Sequence, residues 1–355
     1  MPSIILAIYL SSHGPPQQRS QMACLVWSHL QVLYLRRVKM AGSETLSDPA
    51  AFGLSPFKTF NVRLNTVDRE RLGSWHVLPD SLVSMDGSVS EREIDNTFKT
   101  HPTVIFAHGN AATRAMSGRV ATAAVMSNKL DANVISFDYR GFGDSSGLPS
   151  EKGLTLDAQA AYDYAISRGA TPDKIILLGQ SLGTGVVTNF ARKLSSQGIE
   201  IRAVVLAAPF SSVTKLLETY KIGGLFPLFS PLRSLPQIRE YLFTFLRHKY
   251  DTGDNLHAIS SPVLIAHSVD DIEIPVEHSI SLFKSQVSNN KTKSHEITSL
   301  TGHKWGVLEY TDASAQRGLL LTQKGGHNAV VWSEGLAETM LMFMSNSGHA
   351  YDAHY

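Results

Sequence analysis

Gly179-Gln-Ser-Leu-Gly183 is the stretch of this sequence best suited to covalent chemistry. It is a Gly-x-Ser-x-Gly pattern that follows the apolar run Lys174-Ile-Ile-Leu-Leu178 and precedes a helical stretch, Val186 to Leu194. A serine on a tight strand-to-helix turn presents its hydroxyl at the edge of a sheet, and crowding there demands glycine on both sides. The helix behind it directs backbone N–H groups and a positive dipole end toward a developing oxyanion. Ser181 is therefore the candidate nucleophile.

A serine hydroxyl needs a base to take its proton, and the base needs a carboxylate to orient it. Where a serine of this kind follows a central strand, the acid and then the base come later in the chain. The strand Pro262-Val-Leu-Ile-Ala266 runs into His267-Ser-Val-Asp-Asp-Ile-Glu-Ile-Pro275. Asp271 stands four residues before Pro275, in an Asp-x-x-Ile-Pro spacing that favours it as the acid over Asp270, with Glu273 a third choice. For the base the candidates are His278, His295, His303, His327, His349 and His354. His278 falls in the helix expected after Pro275, and His349 and His354 lie in the C-terminal tail. His327 follows the apolar run Gly318-Leu-Leu-Leu321 and precedes the closing helix, so it is preferred, with His303 as the alternative. His108-Gly-Asn110 follows the strand Thr103 to Ala107. The backbone N–H groups of Asn110 and Leu182 are the two expected oxyanion donors, and His108 reads as a structural loop residue rather than a base.

Strands and helices must hold these groups together. Phe60 to Asn65 alternates as a half-buried strand, and Arg71 to Leu78 is its hairpin partner. From there strands at 103–107, 133–138, 174–178, 203–207 and 262–266 alternate with helices over 115–130, 154–167 and 186–194, and a helix near 334–344 closes the chain. Regular alternation of this kind specifies an α/β fold with a mostly parallel central sheet and helices on both faces. Right-handed crossovers then collect the C-terminal ends of the strands on one edge, where sites form. Residues 80–100 are polar and read as a loop, and 44–56 as a linker.

Composition excludes other classes. The chain has 355 residues, 43% hydrophobic and 18% charged, enough to build a substantial core. A formal net charge of +1 gives no field for steering onto nucleic acid. The single cysteine, Cys24, excludes an intramolecular disulfide and a cysteine-rich metal site. No metal-ligand constellation and no phosphate-binding loop is present, so no metal and no cofactor is expected. Residues 1–43 carry Arg19, Arg36, Arg37 and Lys39 and two apolar patches, too short for a membrane span but compatible with an interfacial helix.

Four motifs then carry a resemblance. Leu72-Gly-Ser-Trp-His-Val-Leu-Pro79, His108-Gly-Asn-Ala-Ala-Thr-Arg114, Phe137-Asp-Tyr-Arg-Gly-Phe-Gly-Asp-Ser145 and Ser181-Leu-Gly-Thr-Gly-Val186 together resemble the membrane-associated α/β-hydrolase-domain lipases, a group that includes monoacylglycerol and lysophosphatidylserine lipases. The resemblance covers roughly residues 57–345. It implies the α/β-hydrolase fold, a triad at Ser181, Asp271 and His327, and oxyanion donors at Asn110 and Leu182. Two departures stand out: the nucleophile motif reads Gly-Gln-Ser where relatives commonly read Gly-His-Ser, and residues 287–326 are long and polar between acid and base.

The expected organisation is an N-terminal extension and linker at 1–56, possible peripheral membrane contact included, a hydrolase domain at 57–345 and a tail at 346–355. A helical cap is inserted at 209–258, where Phe226, Leu228 and Phe229 are candidates to line an acyl channel. The expected activity is cleavage of lipid-like carboxylic esters through an acyl-enzyme. The alternatives are a thioesterase or peptidase with the same machinery, and an inactive binding protein of the same fold. By resemblance the location is intracellular, cytoplasmic or membrane-associated at the endoplasmic reticulum.

Overall fold

The computed structural model describes residues 45–82, 89–219, 221–222, 226–227, 249–288, 306–310 and 316–346. The N-terminal segment 1–43, the alternative histidines His295, His303, His349 and His354, and Leu228 and Phe229 lie outside the described residues.

Nine strands form one sheet in the order β1-β2-β4-β3-β5-β6-β9-β11-β10. These are β1 (Thr59–Asn65), β2 (Arg71–Val77), β3 (Thr103–Ala107), β4 (Asn133–Phe137), β5 (Ile175–Gln180), β6 (Ala203–Ala207), β9 (Val263–Ser268), β10 (Gly306–Tyr310) and β11 (Arg317–Thr322). The short pair β7 (Lys221–Ile222) and β8 (Phe226–Pro227) lies within residues 209–258. Strands β4, β3, β5, β6, β9 and β11 run parallel. The hairpin β1–β2 and the strand β10 close the two ends antiparallel. The helices are α1 (Glu91–Thr100), α2 (Ser117–Lys129), α3 (Glu151–Ser167), α4 (Leu182–Ser196), α5 (Val213–Thr219), α6 (Thr252–Leu256), α7 (Glu277–Ser288), α8 (Gly326–Ala329) and α9 (Glu334–Asn346).

Alternation along each parallel strand builds two cores. Ile105, Ile135, Leu177 and Leu206 face α1, α3, α4 and α7 through Phe98, Leu154, Val186 and Leu282. Their chain neighbours Val104, Val134, Ile176 and Val205 face α2 and α9 through Met126 and Met340. A strand apolar on both faces fits only the middle of a covered parallel sheet, which is why these runs read as continuous hydrophobic stretches.

Three elements differ from the sequence reading. Residues 91–100 form α1 rather than loop. Ser90 and Glu93 make a reciprocal capping box, and Ile94, Thr97 and Phe98 supply a buried face that a polar average conceals. Residues 45–52 are not a free linker, because Leu46 is fully buried and its carbonyl accepts from Trp75 Nε1 at 2.9 Å and Arg114 Nη2 at 3.0 Å. Within the polar stretch 287–326, β10 adds a strand to the sheet edge.

Candidate active site

The Gly179-Gln-Ser-Leu-Gly183 turn folds as crowding requires. Ser181 joins β5 to α4 with φ 50° and ψ −115°, a region sparsely used by residues with a side chain. Such a conformation costs about 1–3 kcal/mol and persists only where its surroundings enforce it. A Cβ on Gly179 would lie 2.5 Å from the carbonyl oxygen of Gly183, and one on Gly183 would lie 1.9 Å from the carbonyl oxygen of Ala107. Both obstacles are backbone and cannot swing aside. Gly183→Ala is therefore expected to lose on the order of 3 kcal/mol of stability. Gly253→Ala in α6, where the nearest atoms are 3.8 Å away, should be close to neutral. Thermal unfolding of the two variants side by side checks this.

The loop after β3 lies against Ser181, since a Cβ on Gly109 would sit 3.5 Å from Ser181 Cβ. Arg119, missed in the sequence, organises this loop from α2. Its guanidinium donates to the carbonyl oxygens of Thr113 at 2.9 Å, Gly109 at 2.9 Å and Asn110 at 3.0 Å. Burial pushes the Arg119 pKa down to about 10, with Asp138 opposing, so it stays cationic at neutral pH. His108 Nδ1–H also donates to the Gly109 carbonyl, at 2.7 Å. In a trans peptide the C=O of one residue opposes the N–H of the next. Holding the Gly109 carbonyl thus turns the Asn110 N–H the opposite way. Leu182 is the first residue of α4, where a helix leaves its N–H groups without intrahelical acceptors.

His108 is fully buried, 3.3 Å from Asp138 Oδ1, and burial lowers its pKa, the Arg119 charge reinforcing this. Arg114, also fully buried, bridges Asp138 and Asp144. These groups brace the loop and the turn after β4, where Gly141, Gly143 and Gly147 all have positive φ.

Asp271 and His327 meet. His327 Nδ1 lies 2.8 Å from Asp271 Oδ2, and because a carboxylate only accepts, Nδ1 carries the proton and Nε2 is the basic nitrogen. The Asp271 side chain is fully buried and that of His327 nearly so. Oδ1 of Asp271 accepts from the backbone N–H of Glu273 at 2.8 Å and of Ile274 at 2.9 Å. Burial alone would raise the Asp271 pKa, but hydrogen bonds from His267 and His327 outweigh it and hold the carboxyl well below its usual range. Burial would lower the His327 pKa, but the hydrogen bond and charge of Asp271, with Glu273 beyond, hold it above the ordinary imidazole value.

Asp270 does different work. It accepts from Ser268 Oγ at 2.5 Å and from the Gly326 N–H at 2.8 Å, tying the acid turn to the loop that carries His327. His278 lies in α7 and takes the Ser211 N–H on its Nδ1 at 3.2 Å. The residues flanking Ser181 and His327 are joined directly: Gln180 Nε2 donates to Asn328 Oδ1 at 2.9 Å. Glutamine at position 180, the departure noted above, is therefore the side chain that spans from the Ser181 turn to α8. Phe226 falls on β8, paired with Ile222. Among the described residues no cluster could hold a metal ion, and no helix is long and apolar enough to cross a membrane.

Known proteins resemble the chain as follows. A family model described as alpha/beta hydrolase fold matches residues 102–247. The lysophosphatidylserine lipase ABHD12 of Danio rerio is 29% identical over 271 residues, covering 75% of this chain and 68% of that protein. Protein ABHD12B of Homo sapiens is 34% identical over 246 residues, covering 67% of this chain and 64% of that protein. The chain thus spans about two thirds of the length of these curated relatives. Among solved structures, the esterase Pf2001 of Pyrococcus furiosus superposes with a TM-score of 0.54 at 17% identity, over 83% of this chain and 94% of that one. Est1E of Butyrivibrio proteoclasticus gives 0.53 at 18%, over 80% and 97%. At such identities the structural likeness establishes the fold.

Proposed function

We propose a function from one premise: this chain belongs to the α/β hydrolases. It is a serine ester hydrolase, and its substrate is a lipid-like monoacyl ester cleaved through an acyl-enzyme. The observation that carries the mechanism is the 2.8 Å hydrogen bond between Asp271 and His327, with the Gln180–Asn328 bond linking the turns of base and nucleophile. The Ser181 hydroxyl attacks the ester carbonyl while His327 Nε2 takes its proton. The N–H groups of Asn110 and Leu182 stabilise the oxyanion. His327 then protonates the departing alcohol, and water repeats the sequence to release the acid. Asp271 keeps the imidazole in the tautomer that can accept at Nε2.

The substrate class is supported by the relatives' names, which include lysophosphatidylserine lipase. Contact with a membrane surface, through residues 1–43 or the segment 209–258, belongs to the same reading. The acyl chain would lie against Phe226, Leu228 and Phe229. Each CH₂ buried there is worth about 0.8 kcal/mol, close to a fourfold gain in affinity.

The test is a series of monoacyl esters of rising chain length, measured below their micelle concentrations, on wild type and Phe229→Ser. Preference should climb with length until the channel fills, and the substitution should flatten the climb while sparing short soluble esters. A flat wild-type profile would remove the lipid substrate and leave a general esterase. Labelling by a fluorophosphonate separates either enzyme from an inactive binding protein.

A further inference from the structure

Asp271 Oδ2 faces two imidazoles. His327 is one, and His267 at the end of β9 is the other, with Nε2 3.1 Å from the same oxygen. His267 is fully buried, and its hydrogen bonds fix its tautomer. Nε2 also lies 3.0 Å from the Ile274 carbonyl oxygen, so both of its neighbours are acceptors and Nε2 must carry a proton. Nδ1 lies 2.6 Å from the hydroxyl of buried Ser279 in α7, which can donate to it. A neutral imidazole thus satisfies every partner. The ring links three elements: β9, the acid turn and α7.

We infer that His267 is a positioning residue of the triad, whose Nε2–H fixes the plane of the Asp271 carboxylate and draws off part of the charge that Asp271 offers to His327. The inference rests on the triad reading proposed above. With Oδ1 held by two backbone N–H groups and Oδ2 by His267, the carboxylate cannot rotate, and the His327 ring inherits its orientation. A donor on Oδ2 also competes with His327 for the same lone pairs. Removing it leaves a more basic carboxylate, a more stable imidazolium at His327 and a base that stays protonated to higher pH.

Other charged and titratable groups surround this pair and must stay constant in the test. Glu273 lies on the same turn and raises the His327 pKa. Asp270 holds Gly326 next to the base, and Lys324 lies 3.8 Å from Asp270. On the far side His278 of α7 is pushed to about 4 by burial, with the Lys215 charge acting the same way, and is neutral at working pH.

The experiment compares wild type, His267→Phe, His267→Gln and Asp271→Asn by kcat, KM and the pH dependence of kcat/KM, with rates scaled to the fraction titrated by a fluorophosphonate. Phenylalanine keeps the ring volume and removes both nitrogens. Its acid limb should move to higher pH by about half to one unit, with kcat down roughly tenfold and KM little changed. Glutamine, whose amide N–H can reach the same oxygen, should restore the wild-type limb. If His267→Phe does not fold, His267→Asn, too short to reach Asp271, takes its place. An unmoved acid limb in the donor-less variant, or a glutamine variant that shifts as phenylalanine does, overturns the inference. Wild-type turnover by Asp271→Asn would instead overturn the triad reading itself, so the two failures are distinguishable.

Discussion

Ser181→Ala should lower ester turnover by a factor on the order of 10⁴–10⁶ while leaving the thermal unfolding midpoint nearly unchanged. The separation of the two effects follows from the geometry. The Ser181 backbone is anchored by its N–H on the Ala207 carbonyl at 3.0 Å and by its own carbonyl, which accepts the Thr184 N–H at 2.9 Å. Its conformation is enforced by the close approach of Gly179 to Gly183 and of Gly183 to Ala107. None of these depends on the hydroxyl, so alanine inherits the turn. What disappears is the hydroxyl proposed to form the acyl-enzyme. The residual rate would come from the oxyanion donors and substrate binding, which activate water directly. Turnover near wild type in the alanine variant would sink the mechanism, and fluorophosphonate labelling of the same variant would point to another nucleophile.

Legibility in the sequence followed the range over which each constraint acts. The turn at Gly179, Ser181 and Gly183 is a local steric problem, and two glycines around a serine between an apolar strand and a helix state it in five residues. Asp271 and Asp270 also differ in a local way, and Asp271 is the one spaced to Pro275. Its spacing to Pro275 has a physical counterpart in the two backbone N–H groups, of Glu273 and Ile274, that Asp271 alone receives. Arg119 was not legible. Its partners are three carbonyls that look like any others in a sequence, and an arginine on a helix reads as solvated until its burial is known. His267 was hidden in the same way, because it ends an apolar strand where a histidine suggests only a satisfied core residue. Helix α1 was concealed by averaging, since ten residues with Ile94, Thr97 and Phe98 on one face are polar in the mean and amphipathic in arrangement. The packed turns at 45–52 were missed because their contribution is a main-chain oxygen, that of Leu46, offered to Trp75 and Arg114.

His327→Ala and Asp271→Asn should each reduce kcat by on the order of 10⁴, whereas Asp270→Asn should cost less than about tenfold. The asparagine at 271 is the more instructive change. Oδ1 of that residue is claimed by the N–H groups of Glu273 and Ile274, so an asparagine must leave its carbonyl oxygen there. Its NH₂ then occupies the place of Oδ2, facing the Nε2–H of His267 and Nδ1 of His327. The His327 ring can relieve the clash of donors only by moving its proton from Nδ1 to Nε2. In that tautomer Nε2 has no lone pair to accept the Ser181 proton. At position 270 an asparagine keeps an acceptor for Ser268 Oγ and the Gly326 N–H, and loses only a long ion pair with exposed Lys324 at 3.8 Å, which is worth little. The wild-type pH profile carries the same logic. Asp271 holds the His327 pKa above its ordinary value, so kcat/KM should fall as the pH drops through a point above about 6.5 and level off on the alkaline side. Removing the carboxylate charge in Asp271→Asn should move whatever activity remains to a limb at lower pH. A profile whose limb stays in place when that charge is removed would mean that His327 is not the group being titrated.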